Sequence, residues 1–180
     1  DIEKKAVTYD MEEMGIKINI GQVEDNVKDK GIDLFVYSTA IKESNPEYIY
    51  ITNNNIRKIK RGKLLAEIMN DYEGIAVAGT HGKTTTSTMC AHIMHQSHVD
   101  CNAFLGGISK NYGTNYILSD NSEYVVIEAD EFDRSFHWLS PWMSVITATD
   151  PDHLDIYGTK EAYLESFRHY TELIREGGAL

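Results

Sequence analysis

The residues best suited to chemistry lie in a ten-residue stretch, 77–86, which reads V-A-G-T-H-G-K-T-T-T. Gly79 and Gly82 allow a tight turn in which several backbone N–H groups point at one anion, and a following helix adds the positive end of its dipole. Lys83 offers a charge for phosphate oxygens, and the Thr84 hydroxyl suits Mg²⁺. The stretch predicts a phosphate-binding loop; the alternative is a connector that binds nothing. The predicted nucleotide-binding residues are Gly79, Thr80, His81, Gly82, Lys83, Thr84 and Thr85.

Two further groups of polar residues follow apolar runs. Tyr124–Ile127 is followed by E-A-D-E, which begins at Glu128, and Met143–Ala148 is followed by T-D-P-D-H, which ends at His153. A carboxylate at the end of a buried strand, beside a phosphate loop, can hold Mg²⁺ against phosphate oxygens. Glu128 is therefore a candidate metal ligand, and the alternative is a solvated acid. A neutral His153 could bind a second metal ion, and the alternative is a structural histidine.

The elements that must position these residues are those of an α/β protein. Buried strands are expected at 75–78, 124–127 and 143–148. In a parallel sheet, the carboxyl ends of such strands lie along one edge, which would bring the three groups together. A helix at 84–97 should run away from the loop, and an amphipathic helix is expected at 160–176.

The amino-terminal part of the chain predicts a separate βαβ arrangement. Helices are expected at 8–15 and 46–53, with strands at Ile16–Ile20 and Ile32–Tyr37 and a short edge strand at 56–60. Three small residues follow the second of these strands directly: Ser38, Thr39 and Ala40. Ligands of open α/β sheets collect at that position, so these residues could line a site; the alternative is a polar loop.

We place the domain boundary near residues 62–74. This gives an incomplete Rossmann-like domain at 1–68, followed at 69–180 by part of a P-loop-type ATPase domain with a largely parallel sheet.

Composition narrows the class of partner. With 42 % hydrophobic and 25 % charged residues, the chain is typical of globular proteins. Its net charge of −11 argues against nucleic acid and against an anionic membrane surface, and the basic residues at 57–63 are interpreted as a solvated face. No apolar run approaches about 18 residues, so no membrane insertion is expected. Cys90 and Cys101 are interpreted as reduced thiols of a cytoplasmic protein.

Three histidines in or just after the predicted helix at 84–97 invite a zinc hypothesis: His92, His95 and His98. Residues spaced three apart over two intervals spread around a helix instead of converging on one ion. We therefore expect no zinc site there.

The three motifs V-A-G-T-H-G-K-T-T-T, E-A-D-E-F-D-R-S-F and D-H-L-D-I-Y-G together resemble those of the Mur ligases. The short G-T-x-G-K-T spacing fits this family better than the common phosphate loop, whose first glycine would replace Val77. The segment S-T-A-I-K-E-S-N-P-E at 38–47 resembles a part of the family's uridine-nucleotide domain. The resemblance covers most of the chain.

The resemblance implies a reaction, and is greatest for the branch of the family that joins L-alanine to UDP-N-acetylmuramate. ATP would phosphorylate the lactyl carboxylate to an acyl phosphate, and the amine of L-alanine would then displace phosphate. This is a step of peptidoglycan precursor synthesis. A ligase that reattaches murein peptide to UDP-N-acetylmuramate is the alternative within the family.

The resemblance also implies roles for individual residues. Lys83 would contact the transferred phosphoryl group, Thr84 and Glu128 would hold one Mg²⁺, and Glu128 and His153 a second. His81 would face the muramyl substrate. The remaining implied substrate contacts are Ser38, Thr39 and Ala40 near the UDP portion, and Gly107.

The family pattern is longer than this sequence. Its glycine-rich UDP-binding loop would precede residue 1, Gln22 stands where the family usually has histidine, and its carboxyl-terminal domain would follow Leu180. We therefore expect that the 180-residue chain does not ligate by itself. Two hypotheses from other classes stay open: a generic P-loop nucleotide hydrolase, and a non-catalytic nucleotide- or UDP-sugar-binding module.

Overall fold

The computed structural model describes residues 6–132 and 134–180. The chain divides into two compact units, of which the first ends at Leu64 and the second begins at Leu65. Within the described residues, none of the helices combines the length and hydrophobicity needed to traverse a bilayer.

The first unit contains a small parallel βαβ arrangement. Its regular elements are α1 (Ala6–Glu13), β1 (Phe35–Tyr37), α2 (Pro46–Asn53) and β2 (Lys58–Lys60), and α3 (Arg61–Asn70) spans the boundary between the units. Asn45 caps α2 by accepting a hydrogen bond from the Tyr48 N–H (3.1 Å), and Pro46 occupies the first helical position, where no N–H is required. β1 and β2 then pair in parallel, with Val36 opposite Ile59.

The strand predicted at Ile16–Ile20 is wrong. These residues lie outside regular structure, and Ile16 and Ile20 are exposed. An alternating pattern forms a strand only when a neighbouring strand pairs with it and one of its faces is buried. The βαβ arrangement predicted from the strands Ile16–Ile20 and Ile32–Tyr37 is therefore also wrong. The arrangement that forms uses β1, α2 and β2, and the strand predicted at Ile32–Tyr37 is reduced to β1.

The second unit is built on a five-stranded sheet. Its elements are β3 (Glu73–Ala78), α4 (Lys83–His95), β4 (Asn102–Phe104), β5 (Tyr116–Ile117), β6 (Tyr124–Glu128), β7 (Met143–Ile146), α5 (Leu154–Tyr157) and α6 (Lys160–Glu172). The strand order is β5-β4-β6-β3-β7, and only β5 is antiparallel to its neighbour. The largely parallel α/β sheet expected from the sequence is confirmed.

Alternating side chains of the central strands enter two separate cores. Ala76 and Ala78 of β3 belong to a core that includes Tyr163 and Tyr170 of α6. Ile75, which directly precedes Ala76 and so points to the opposite face, belongs to a second core, which includes Ala91 of α4. Because successive residues of a strand point to opposite faces, the sheet is covered on both sides and its carboxyl edge is left for loops.

Candidate active site

The three polar motifs leave the sheet at the same edge. Val77 of β3 lies opposite Glu128 of β6, and Ala78 lies opposite Ile146 of β7. The loop that begins at Gly79 is therefore flanked by E-A-D-E on one side and by the segment that leads to His153 on the other. This is the arrangement that the sequence predicts from three parallel strands.

The glycine loop turns sharply between β3 and α4. Gly79 has a φ of +124°, and a Cβ at this position would lie 2.3 Å from Thr147 Oγ1 and 2.8 Å from the Ala148 backbone nitrogen. The Thr80 N–H donates to the Ala148 carbonyl at 2.9 Å. Only glycine fits at position 79, because the loop packs directly on the chain that follows β7.

Helix α4 begins at Lys83, directly after Gly82, whose φ is +80°. Lys83 and the two threonines after it form the first helical turn, so their N–H groups have no acceptor within the helix. Thr84 and Thr85 are exposed, as is His81 in the turn itself. The helix therefore presents unsatisfied donors and the positive end of its dipole, which is the environment that binds an anion.

The Lys83 side chain lies back over the loop. Its Nζ donates to the Gly79 carbonyl at 2.7 Å and to Glu131 Oε1 at 2.9 Å, and it also lies 2.9 Å from Glu131 Oε2. The Lys83 side chain is 14 % exposed and that of Glu131 only 1 %. The candidate phosphate-binding lysine is thus half of a nearly buried ion pair.

The Glu128 carboxylate is held at the end of β6 by the backbone of the neighbouring strand connection. The Gly106 N–H donates to Glu128 Oε2 at 3.1 Å. A Cβ on Gly106 would lie 2.1 Å from the same oxygen. The absence of a side chain at Gly106 is therefore what leaves room for the carboxylate.

A buried hydroxyl pair ties the loop to α6. Thr80 Oγ1 donates to the Asp150 carbonyl at 2.7 Å, so the Tyr163 hydroxyl, 2.8 Å away, must donate to Thr80. The Tyr157 hydroxyl donates to the Glu131 carbonyl at 2.5 Å. Burial raises the pKa of both phenols, which keeps them protonated and able to donate.

His153 directly precedes α5 and has a left-handed backbone, with a φ of 52°. Its ring packs edge-to-face on Phe132, with the centroids 5.1 Å apart, and its Nε2 lies 3.8 Å from Asp152 Oδ2. Phe132 directly follows E-A-D-E, so the ring contact links the loops after β6 and β7.

The residues predicted to hold Mg²⁺ offer oxygen and nitrogen donors. The Thr84 hydroxyl and the Glu128 carboxylate are oxygen donors, which Mg²⁺ prefers, whereas the His153 imidazole is a poorer donor for that ion. In residues 6–132 and 134–180, no group of three or more His, Cys, Asp and Glu side chains is arranged to hold a metal. The residues that suit Mg²⁺ are therefore Thr84 and Glu128, and the Glu128 carboxylate is held in place by the Gly106 N–H.

A cleft of about 360 Å³ adjoins the first turns of α4. On the helix side it is lined by Thr84, Thr85 and His92, and on the opposite side by the loop after β4, which includes Gly107 and Lys110. The predicted substrate contact Gly107 and the predicted metal ligand Thr84 thus lie on one cavity. The predicted UDP-contacting residues Ser38, Thr39 and Ala40 form a turn after β1 in the first unit, where the Ile41 N–H donates to the Ser38 carbonyl.

The histidines of α4 are engaged with protein groups. His92 Nδ1 lies 2.7 Å from the Tyr112 hydroxyl, and His95 Nδ1 lies 2.6 Å from Asp100 Oδ1. These contacts attach the helix to the segments around β4.

Three residues of this site were not singled out from the sequence: Gly106, Glu131 and Tyr163. Glu131 belongs to the E-A-D-E motif, but nothing in the motif tells the exposed Asp130 from the buried Glu131. The glycine pair at 106–107 is a sequence signal that points to Gly106, because glycine after an apolar run often marks a close approach of the backbone to another group.

A parallel sheet with a glycine turn leading into a helix at its carboxyl edge defines an α/β protein of the nucleotide-binding type. A model of the Mur ligase middle domain matches residues 77–180, and a model of the Mur ligase family catalytic domain matches residues 1–73. The chain belongs to the Mur ligase family.

Individual relatives agree with this assignment. The chain is 65 % identical over 158 residues to the UDP-N-acetylmuramate–L-alanine ligase of Phocaeicola vulgatus, an alignment that covers 88 % of this chain and 34 % of that protein. It is 56 % identical over 162 residues to the ligase of the same name from Parabacteroides distasonis, covering 90 % and 35 %. The chain thus spans about a third of the length of these curated relatives.

Two solved structures share the fold closely. The UDP-N-acetylmuramate–alanine ligase MurC of Thermotoga maritima superposes with a TM-score of 0.84 at 30 % identity, covering 97 % of this chain and 40 % of that one. The UDP-N-acetylmuramate:L-alanyl-γ-D-glutamyl-meso-diaminopimelate ligase of Neisseria meningitides superposes with a TM-score of 0.89 at 25 % identity, covering 99 % and 60 %.

Proposed function

We propose that this chain is part of an ATP-dependent ligase that joins L-alanine to the lactyl carboxylate of UDP-N-acetylmuramate. The observation that carries the proposal is the glycine loop at the start of α4, with Lys83 over it and Glu128 at the neighbouring strand end. The names of the Phocaeicola vulgatus and Parabacteroides distasonis relatives supply the two substrates.

In the proposed reaction, an oxygen of the lactyl carboxylate attacks the γ-phosphorus of ATP and ADP leaves. The nitrogen of L-alanine then attacks the carbonyl carbon of the acyl phosphate, loses a proton, and inorganic phosphate leaves as the amide forms. The unsatisfied N–H groups at the start of α4 would bind the phosphates, and Lys83 would offset the charge on the transferred group.

Thr84 and Glu128 would hold Mg²⁺ between the loop and the end of β6, with His153 as a candidate ligand of a second ion. When bound, Mg²⁺ neutralises charge on the phosphate oxygens. The protein groups prepare this site in advance, because the Gly106 N–H already orients the Glu128 carboxylate.

The acceptor would enter beside α4. Gly107 and Thr84 line the same cleft, so a carboxylate bound in it would lie next to Thr84, a predicted metal ligand. His81 is exposed in the loop and would face the same substrate. Ser38, Thr39 and Ala40 would contact the uridine nucleotide.

Titration calorimetry with Mg-ATP and with UDP-N-acetylmuramate tests the proposal on the 180-residue chain. We expect both to bind, and we expect Lys83→Ala to weaken Mg-ATP binding by about 10- to 150-fold, the range of hydrogen bonds to charged groups. Lys160→Ala removes the same charge at the exposed start of α6 and is expected to bind as the parent does.

Binding of Mg-ATP without any UDP-N-acetylmuramate binding would favour a generic nucleotide hydrolase. Equal Mg-ATP affinity in the parent and in Lys83→Ala would exclude the loop assignment.

A second candidate is a ligase that attaches a murein peptide instead of L-alanine. The TM-score of 0.89 to the Neisseria peptide ligase favours it, although the identity to that protein is only 25 %. In a chain of the relatives' length, phosphate release that requires L-alanine would support the first proposal, and release that requires the tripeptide would support the second.

A further inference from the structure

Glu131 has no assigned role, yet its carboxylate is the most deeply buried charged group beside the loop. Its side chain is 1 % exposed. Among residues 6–132 and 134–180, Lys83 is the only cation within 4 Å of it. Oε1 accepts a hydrogen bond from Lys83, whereas Oε2 accepts none of satisfactory geometry from the described residues.

One N–H of the Lys83 ammonium group has no acceptor among the described residues. An ammonium group has three N–H donors, and Gly79 O and Glu131 Oε1 take two of them. No other described residue accepts the third. The carbonyl and the carboxylate therefore fix the ammonium group at two points over the loop, and its remaining N–H is available to a ligand.

Moving Lys83 away would leave a carboxylate buried without a counter-charge, which strongly destabilises a protein. Glu131 itself is fixed, because its carbonyl accepts the Tyr157 hydroxyl. An incoming phosphate should therefore find the ammonium group already in place.

We infer that Glu131 is a positioning residue, which holds Lys83 through the buried ion pair so that the third N–H meets the phosphate of the bound nucleotide. This inference rests on the proposed function, since it assumes that the loop binds a nucleotide. It predicts that Glu131 acts only through Lys83.

A double-mutant cycle on the 180-residue chain tests this, with Mg-ATP affinity measured by calorimetry in the parent, Glu131→Gln, Lys83→Met and the double variant. Glutamine keeps the volume of the side chain and removes its charge. We expect Glu131→Gln to weaken binding by about 2- to 150-fold, the range for residues that interact directly. In the Lys83→Met background, the same substitution should change the affinity less than about 2-fold.

The matched control is Asp130→Asn, which removes a negative charge from the neighbouring, exposed residue. We expect it to change Mg-ATP affinity by less than about 2-fold, because exposed charges are screened. Thermal unfolding provides a readout without nucleotide: Lys83→Met should melt below the double variant, because only the single variant buries an unpaired carboxylate.

If Glu131→Gln does not fold, Glu131→Asp and the double variant carry the test, and Glu131→Asp should bind Mg-ATP less tightly than the parent. Parent-like or tighter binding by Glu131→Gln, or an equal effect in the Lys83→Met background, would overturn the inference alone. A parent that binds no Mg-ATP would overturn the proposed function and the inference with it.

Discussion

Gly106 contributes to the site through its backbone and through the side chain that it lacks. Its N–H donates to Glu128 Oε2, and a Cβ would lie within 2.1 Å of that oxygen. Real Cβ atoms do not approach oxygen so closely, so any larger residue must displace the carboxylate. The position of a candidate metal ligand thus depends on a glycine in a different strand connection.

Gly106→Ala is therefore expected to weaken Mg-ATP binding by about 10-fold or more, since outer groups that orient a metal ligand typically contribute 10- to 100-fold. The measurement is ATP affinity with and without Mg²⁺. Binding in the absence of Mg²⁺ is the internal control and should change little. An equal loss with and without the ion would show that Glu128 is not the group affected.

At the residue level, the sequence is informative about chemical type and poor about burial. The loop residues from Gly79 to Thr85 are predicted to bind a nucleotide because glycine, lysine and threonine at this spacing suit a phosphate group. Glu131 was not identified, because a buried and a solvated glutamate look alike in sequence. Its backbone partner, the Tyr157 hydroxyl, lies 26 residues further along the chain.

At the level of elements, α5 and α6 fix the loops at the sheet edge by means of tyrosines. Tyr163 of α6 donates to Thr80 in the glycine loop, and Tyr157 of α5 donates to the Glu131 carbonyl. Tyr170, two turns after Tyr163, instead bonds to Ser144 Oγ within the sheet, also at 2.8 Å. The two buried tyrosine hydroxyls of α6 thus make hydrogen bonds of the same length, one to the glycine loop and the other to the sheet.

Tyr163→Phe and Tyr170→Phe should each lower the free energy of unfolding by about 1 kcal/mol, the usual contribution of one hydrogen bond. Only Tyr163→Phe should also weaken Mg-ATP binding, because only its hydroxyl bonds to the loop. Chemical denaturation and calorimetry on both variants measure the two quantities. Similar Mg-ATP affinity in both variants would mean that α6 does not order the loop.

The elements that could be predicted are those with buried, repetitive patterns. The apolar runs in β3, β6 and β7 form the parallel sheet, and Pro46 correctly marked the start of α2. The segment Ile16–Ile20 has a strand pattern without a partner strand, and pairing between distant segments cannot be read from a local pattern.

At the scale of the whole molecule, burial on both faces of the sheet changes the acid–base behaviour of groups far from the loop. On one face, burial raises the pKa of Tyr170 from 10.0 to about 12, with its bond to Ser144 opposing the shift. On the other, burial raises the pKa of the Cys101 thiol from 9.0 to about 12. Both groups resist ionisation while the protein is folded.

The free energy of unfolding should therefore be insensitive to these groups below pH 9 and fall between about pH 9 and 12. The unfolded chain releases these protons first, so rising pH favours unfolding, by up to about 1.4 kcal/mol per pH unit for each group. Urea denaturation at several alkaline pH values measures this slope.

Cys101→Ala is the comparison variant, and its stability should fall less steeply than that of the parent between pH 9 and 10, because it lacks the thiol whose pKa burial raises from 9.0 to about 12. A slope equal to that of the parent would contradict the assignment.

Because the Lys83–Glu131 pair is nearly buried, it should respond to ionic strength differently from the charges on the protein surface. The Arg168–Glu165 pair on α6 has side chains 73 % and 70 % exposed, so salt at 0.15 M screens it, with a Debye length of about 8 Å. The self-repulsion that arises from the net charge of −11 is screened in the same way. The Lys83–Glu131 pair is nearly buried and is screened much less than exposed pairs, so the glycine loop should keep its geometry from dilute buffer to concentrated salt while the surface charges lose their influence.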